Sequence, residues 1–357
     1  MGALRRKLTR AGLPGLLVTY APDIRYLCGF TGSNAAVALT RRAARLFTDG
    51  RYTAQADEEV KAARVEIVST SPAVSAVEWL AAQAGVDASG FDATRTTVAE
   101  LARWKTALPV PLRRGFLAAL PTPFVEQLRA VKDEEELAVM REAALMGCRL
   151  FDRILGELKP GIKEIEIAAE LEHQARRMGA EGMSFETIVA SGERSAFPHG
   201  HATQAALPRR GFLTLDFGII HKGYCSDMTR SVFFGKPKPR ERKAYSAVLE
   251  AQEAAVAAVM AGVSASEVDE AARARLRREG LAEAFSHSTG HGVGLEIHEP
   301  PRIGTGQRTR LQSGMVVTIE PGVYLPGEFG IRIEDMVQVT QSGGQVLTPA
   351  PKALIEL

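Results

Sequence analysis

The sequence predicts an α+β protein of two domains, a small N-terminal α/β domain over residues 1–124 and a larger domain over 125–357 made of two similar halves. Three observations predict it. Residues 1–120 alternate short apolar runs with helical segments, a proline-rich aperiodic stretch follows, and the rest of the chain repeats itself after roughly 100 residues.

In the first domain, Gly15–Tyr20, Ala35–Leu39, Arg45–Thr48 and Arg64–Ser69 have the length and composition of strands. Ala73–Ala84 and Thr97–Ala107 have helical periodicity. Leu108-Pro109-Val110-Pro111 and Leu120-Pro121-Thr122-Pro123 interrupt the pattern. Asp133, with Glu136 three positions later, has the form of a capping box, and the helix it starts is expected to run to about Glu157, where Lys159-Pro160-Gly161 stops it. The second domain is therefore expected to begin near residue 125.

The repeat has three matched parts. Pro160-Gly161 followed by EIEIAAELEHQARRMGA parallels Ala261-Gly262 followed by SEVDEAARARLRREGLA. IVASGERSAFPHGHA parallels HSTGHGVGLEIHEPP, which sets His199 opposite His298. Each half then ends in a strand, a turn and a strand, with one carboxylate per strand: Asp216 and Asp227 in FLTLDFGIIHKGYCSDMTRSVFF, and Glu320 and Glu334 in MVVTIEPGVYLPGEFGIRIEDMVQV. Two such halves place the four acids around a pseudo-twofold axis, in the middle of one domain.

Spacing gives the local geometry. Pairing about the Lys222-Gly223 turn brings Asp227 opposite a residue near Gly218, diagonal to Asp216 and roughly 7–8 Å away. Pairing about Gly327 makes Glu320 and Glu334 direct partners. Like charges facing each other across a strand pair are destabilising, and divalent cations remove that cost. Taken singly, each acid is an ordinary hairpin residue. Together, with Asp216 and Glu320 each ending an apolar run and His291 lying between the hairpins, they point to a metal site. Four carboxylates and an imidazole suit Mn2+, Co2+, Fe2+ or Zn2+, and five donors exceed what one tetrahedral zinc needs, so two ions are expected.

The motifs Thr214-Leu215-Asp216-Phe217-Gly218, Ser226-Asp227-Met228-Thr229-Arg230, Thr289-Gly290-His291-Gly292-Val293-Gly294, Ile297-His298-Glu299-Pro300, Ile319-Glu320-Pro321-Gly322 and Ile331-Arg332-Ile333-Glu334-Asp335 resemble the metallopeptidase family of methionine aminopeptidase, aminopeptidase P and prolidase, with its pita-bread catalytic domain. Ile24-Arg25-Tyr26-Leu27-Cys28-Gly29-Phe30-Thr31-Gly32 and Phe47-Thr48-Asp49-Gly50-Arg51-Tyr52 resemble the creatinase-like N-terminal domain of the proline-specific branch. The resemblance implies a dinuclear exopeptidase hydrolysing Xaa-Pro bonds, foremost an Xaa-Pro dipeptidase, with an Xaa-Pro aminopeptidase or a non-catalytic peptide-binding relative as alternatives. It implies that Asp216 holds one ion, that His291 and Glu320 hold the other, and that Asp227 and Glu334 bridge them. Glu320 would shuttle the proton, while His199 and His298 would stabilise the intermediate and bind substrate. The resemblance also implies that Arg302 serves the carboxylate of a dipeptide and that the protein is a homodimer, with Mn2+ or Co2+ foremost among the metals.

Arg332, two residues from Glu334, is expected to orient that carboxylate, and His287 to support the ligands from behind. His201 and His221 lack counterparts in the repeat and are expected at the surface. A net charge of +2 gives no support for nucleic-acid binding. No run is long enough to span a bilayer, the N-terminus has no apolar core after its basic residues, and Arg6 does not fit a myristoylation signal, so a cytoplasmic location is expected. Cys28, Cys148 and Cys225 show no metal or redox spacing.

Overall fold

The computed structural model describes Met1–Leu357 and divides into two units, Met1–Arg129 and Ala130–Leu357. In the first, strands β1 (Gly15–Val18), β2 (Ala35–Thr40), β3 (Ala44–Asp49), β4 (Arg64–Val68), β5 (Ser89–Phe91) and β6 (Leu117–Ala119) form one mixed sheet in the order β4-β3-β2-β1-β5-β6. Helices α1 (Gly2–Arg10), α2 (Ala21–Cys28), α3 (Thr53–Glu59), α4 (Pro72–Ala81), α5 (Val98–Ala107) and α6 (Phe124–Arg129) complete it. Alternation explains why both faces of the sheet are covered. Leu16, Val18, Val37 and Leu39 pack with Leu4, Leu8 and Ile24, whereas Leu17, Ala36 and Ala38 pack with Val77, Leu80 and Trp104. Phe124 and Val125 are buried in the former cluster, which is why α6 belongs to the first unit and the division falls after Arg129, not at 124.

The second unit contains α7 (Glu134–Leu155), α8 (Glu164–Arg177), α9 (Pro239–Ala258) and α10 (Ala265–Arg278). Asp133 and Glu136 close the expected capping box at the start of α7. The two halves match in detail. Gly161 and Gly262 both take left-handed backbone, at φ 97° and 92°, and their N–H groups donate to Leu207 and Leu311 carbonyls at 2.9 and 2.8 Å. In the first half β8 (Ile188–Ser191), β9 (Gly211–Phe217) and β12 (Met228–Phe234) make one sheet, beside a small one of β7 (Gly182–Met183), β10 (Ile219–His221) and β11 (Tyr224–Cys225). In the second half β13 (Gly290–Gly292), β14 (Glu299–Ile303), β15 (Val316–Ile319), β18 (Asp335–Val339) and β19 (Gly344–Val346) make a five-stranded sheet, and β16 (Gly322–Leu325) pairs with β17 (Phe329–Arg332).

Each half has its own core. Leu213, Leu215, Phe217, Val232 and Phe234 pack on the α7 and α8 residues Leu150, Phe151, Ile167 and Leu171. Val317, Ile319, Val337 and Val339 pack on the α9 and α10 residues Val248, Ala251, Val268 and Leu276. Strand parity therefore turns Thr214, Asp216, Thr318 and Glu320 away from their own helices. No helix is long and apolar enough to cross a membrane.

Candidate metal centre and substrate cleft

The registers place the four acids as spacing requires. Phe217 pairs with Met228 and Ile220 with Cys225, so Asp227 falls opposite Gly218 and diagonal to Asp216. Ile319 pairs with Asp335 and Gly322 with Arg332, so Glu320 faces Glu334 in the gap between those two ladders. In that gap the Glu320 N–H donates to the Thr289 carbonyl (2.7 Å) and the Glu334 N–H to the Thr229 carbonyl (3.1 Å). The second bond stitches one hairpin to the other at one of the four acids.

His291 sits in the middle of β13. Its N–H donates to Thr318 Oγ1 at 3.1 Å, and its Nδ1 lies 3.0 Å from the Gly292 carbonyl. With the proton on Nδ1, Nε2 presents a lone pair 3.6 Å from both Asp227 Oδ2 and Glu320 Oε1. Candidate ligand atoms of Asp227, His291 and Glu334 all lie within 4.8 Å of one another.

The electrostatics are those of anions crowded without enough countercharge. Burial, and then the neighbouring Glu334, push the Asp227 and Glu320 carboxyls well above the usual range. Glu334 is pushed up to about 8 by burial and then by Asp216, although Thr229 Oγ1 donates to it at 2.6 Å. Desolvation lowers His291 to about 4, keeping the imidazole neutral, the form able to donate a lone pair. Asp216 Oδ1 and Asp227 Oδ1 are buried with no hydrogen-bond partner. Buried carboxylate oxygens are rarely left so, and these converge with the bare Nε2 of His291. The donor set fits hard divalent cations.

One group of positive charge is already present. Arg332, buried, donates to Asp216 Oδ2, to Thr229 Oγ1 (3.1 Å), to the Pro198 carbonyl (2.9 Å) and to the Tyr324 hydroxyl (2.8 Å). It thus grips Asp216 rather than its strand neighbour Glu334, because its guanidinium reaches from β17 across to β9. It meets Glu334 only through Thr229. The Tyr324 hydroxyl in turn lies 3.0 Å from His287 Nε2, and His287 Nδ1 lies 2.8 Å from the Ser288 carbonyl. Burial lowers His287 to about 4, so it is neutral. His287 is thereby tied to Asp216 through Tyr324 and Arg332.

Asp216, Asp227, His287, His291, Glu320, Arg332 and Glu334 all open on one cleft of about 670 Å³. His199, His298 and Arg302 line it too, with Ile188, Pro198 and Ile297 as apolar wall. The His298 ring stands edge-on to His291 with centroids 4.3 Å apart, and burial, then nearby His199, lowers its pKa. Arg302 is exposed on β14 and makes no ion pair. His201 is exposed, as expected, and stands at the rim of the cleft 3.3 Å from Glu186, where its backbone bridges to Ile188 beside Asp216. His221 is held outside the cleft by Glu142 at 3.0 Å. Tyr324, Thr229, Thr318 and Glu299 escaped the sequence reading. Parity could have found three of them, since Thr229 lies two residues from Asp227, Thr318 two from Glu320, and Tyr324 four from Glu320.

Residues 138–341 match the model of Metallopeptidase family M24, and residues 1–131 match the Creatinase/Prolidase N-terminal domain. An uncharacterized peptidase, YqhT, of Bacillus subtilis is 37% identical over 99% of both chains. The solved structure of an Xaa-Pro dipeptidase from Bacillus anthracis superposes with a TM-score of 0.94 at 38% identity, covering 100% of this chain and 98% of that one. An X-Pro aminopeptidase from Thermotoga maritima superposes at 0.90 with 34% identity, over 98% and 100%. The chain thus belongs to metallopeptidase family M24, with a creatinase/prolidase-type domain at its N-terminus.

Proposed function

We propose that the protein is a metal-dependent exopeptidase that hydrolyses Xaa-Pro bonds, with the free dipeptide as its preferred substrate. The observation that carries this is the convergence, in one cleft, of two partnerless aspartate oxygens, the bare Nε2 of His291 and two facing glutamates. Asp216, Asp227, His291, Glu320 and Glu334 would hold two divalent ions, Mn2+ or Co2+ foremost, with Zn2+ or Fe2+ as alternatives. Ions bound there would neutralise the carboxylates and give Lewis-acid activation of water and substrate carbonyl.

The remaining chemistry belongs to the chain. Glu320 accepts a proton from the attacking water and passes it to the leaving prolyl nitrogen. His199 and His298 donate hydrogen bonds to the substrate, strongest where charge develops on the carbonyl oxygen. Arg332 fixes Asp216, and Tyr324 with His287 fixes Arg332. Arg302, exposed at the cleft and free of any carboxylate partner, receives the substrate's terminal carboxylate. The relatives from Bacillus anthracis and Thermotoga maritima, a dipeptidase and an aminopeptidase, support the reaction class, and Arg302 favours the dipeptide. The same proposal takes the protein as a cytoplasmic homodimer, checked by sedimentation.

The deciding experiment compares hydrolysis of Xaa-Pro and Xaa-Pro-Yaa peptides by protein reconstituted with Mn2+, Co2+ or Zn2+, alongside metal analysis. Faster turnover of the dipeptide with two bound ions supports the proposal. Trace metal after reconstitution, or faster cleavage of the longer peptides, refutes the corresponding part.

A further inference from the structure

Lys132 stands just before the capping box of α7, yet its ammonium is buried. Its side chain and that of Glu299 are each 1% exposed, with Nζ 3.3 Å from Oε2. The Lys132 N–H donates to the Gly314 carbonyl at 2.9 Å, and Nζ lies 3.5 Å from the Ala130 carbonyl, so the lysine is fixed at both ends. Glu299 is fixed by the chain that precedes it. Its Oε1 accepts the Glu296 N–H at 3.1 Å, and a Cβ on Gly294 would lie 2.5 Å from Oε2, so that only glycine fits against the carboxylate. The Gly294 N–H donates to the Glu296 carbonyl (3.0 Å), and its own carbonyl accepts from Cys225 (2.8 Å). The segment wrapped around this carboxylate begins just after His291 and ends at His298.

Two charges taken wholly out of water seldom repay their desolvation in stability, and an apolar pair of like volume serves as well, so stability does not explain this pair. Geometry does. We infer that the Lys132–Glu299 ion pair is a positioning device for His298, anchoring the Gly294–His298 loop so that the imidazole stays against His291 at the cleft wall. Neither residue has to touch substrate. The inference rests on the proposed substrate-holding role of His298.

A double-mutant cycle tests it, with Lys132→Met and His298→Ala made singly and together and with kcat, KM, bound metal and Tm measured for each. Lys132→Met is expected to lower kcat about tenfold in the otherwise native chain and less than about twofold when His298 is already alanine, with metal content unchanged in both. An equal loss in both backgrounds overturns the inference, because the pair would then act on the fold and not through His298. Full activity of His298→Ala would instead overturn the role of His298 itself, and the inference with it. Should Lys132→Met fail to fold because it strands the buried carboxylate, the uncharged pair Lys132→Met with Glu299→Gln replaces it in the same cycle, with the same two outcomes deciding.

Discussion

Stripping the metal from this protein should make its stability fall as pH rises from 6.5 to 8, contrary to the common behaviour of carboxylates. Glu334 is pushed from its ordinary 4.5 up to about 8, so in this window it is protonated when folded and ionised when unfolded. A group raised on folding stabilises fully below its unfolded pKa, and that contribution is lost as pH climbs through the folded value. At about 1.4 kcal/mol per pH unit, Glu334 alone removes about 2 kcal/mol over the window. Asp227 and Glu320 are shifted the same way and add to it. His287 and His291, lowered to about 4, have the opposite sign; their effect is largest below their ordinary 6.5 and fades over about one pH unit above it, so they offset part of the loss at the start of the window and little of it by pH 8. At about 2–4 °C per kcal/mol, Tm of the chelated protein should drop by roughly 4–8 °C, as read by calorimetry. Saturating Mn2+ should flatten the slope, since metal binding keeps the ligands ionised. A flat or rising Tm in the stripped protein refutes the reasoning, and an undiminished slope in Glu334→Gln refutes the assignment to Glu334.

The elements legible in the sequence are those whose pattern is local. Strands β1 to β4 and helices α4, α5 and α7 emerge from alternation, helical period and a capping box within a few residues of their observed bounds. Strands β5 and β6, of three residues each, are too short for alternation to register, and they exist because the parallel ladder beside β1 completes them. The first unit ends later than expected for a similar reason. Proline punctuation marks where periodicity stops, whereas unit membership depends on Phe124 and Val125 finding a core many residues upstream.

The site divides along the same line. Facing carboxylates follow from parity and hairpin symmetry, both properties of contiguous sequence, and Glu320 and Glu334 meet although the ladder breaks at their position. The partner of Arg332 follows from neither. Its guanidinium chooses Asp216 because the two hairpins are stitched together through the Glu334 N–H and Thr229 carbonyl and through Ser231 Oγ, which accepts the Arg332 N–H at 3.1 Å. His201, exposed as expected, is placed at the cleft rim by a bridge to Ile188 that no local pattern encodes. Sequence therefore located the charges, and the packing of the two halves assigned their partners.

Three further outcomes are expected. Asp227→Ala removes a carboxylate that faces His291 and is crowded by Glu334, and should lower kcat by more than about a hundredfold at saturating metal; near-normal turnover would exclude a shared-ligand role. Tyr324→Phe deletes the hydroxyl between Arg332 and His287, worth about 1 kcal/mol, so kcat/KM should fall roughly fivefold with bound metal unchanged, and loss of metal would instead place Tyr324 among the groups that hold it. Arg302→Ala addresses substrate length. Its guanidinium is exposed at the cleft with no carboxylate of the protein to answer it, so a charge-assisted hydrogen bond to the substrate is available at no cost to the fold. Losing such a bond costs about 1.5–3 kcal/mol, roughly a ten- to hundredfold fall in kcat/KM. The fall should be confined to Xaa-Pro dipeptides, because an Xaa-Pro amide offers no anion at that position. The ratio of kcat/KM for dipeptide over amide is the quantity to measure, since any general disturbance of the cleft cancels in it. An unchanged ratio would mean that Arg302 does not read the terminal carboxylate, and the preference for a dipeptide would lose its structural basis.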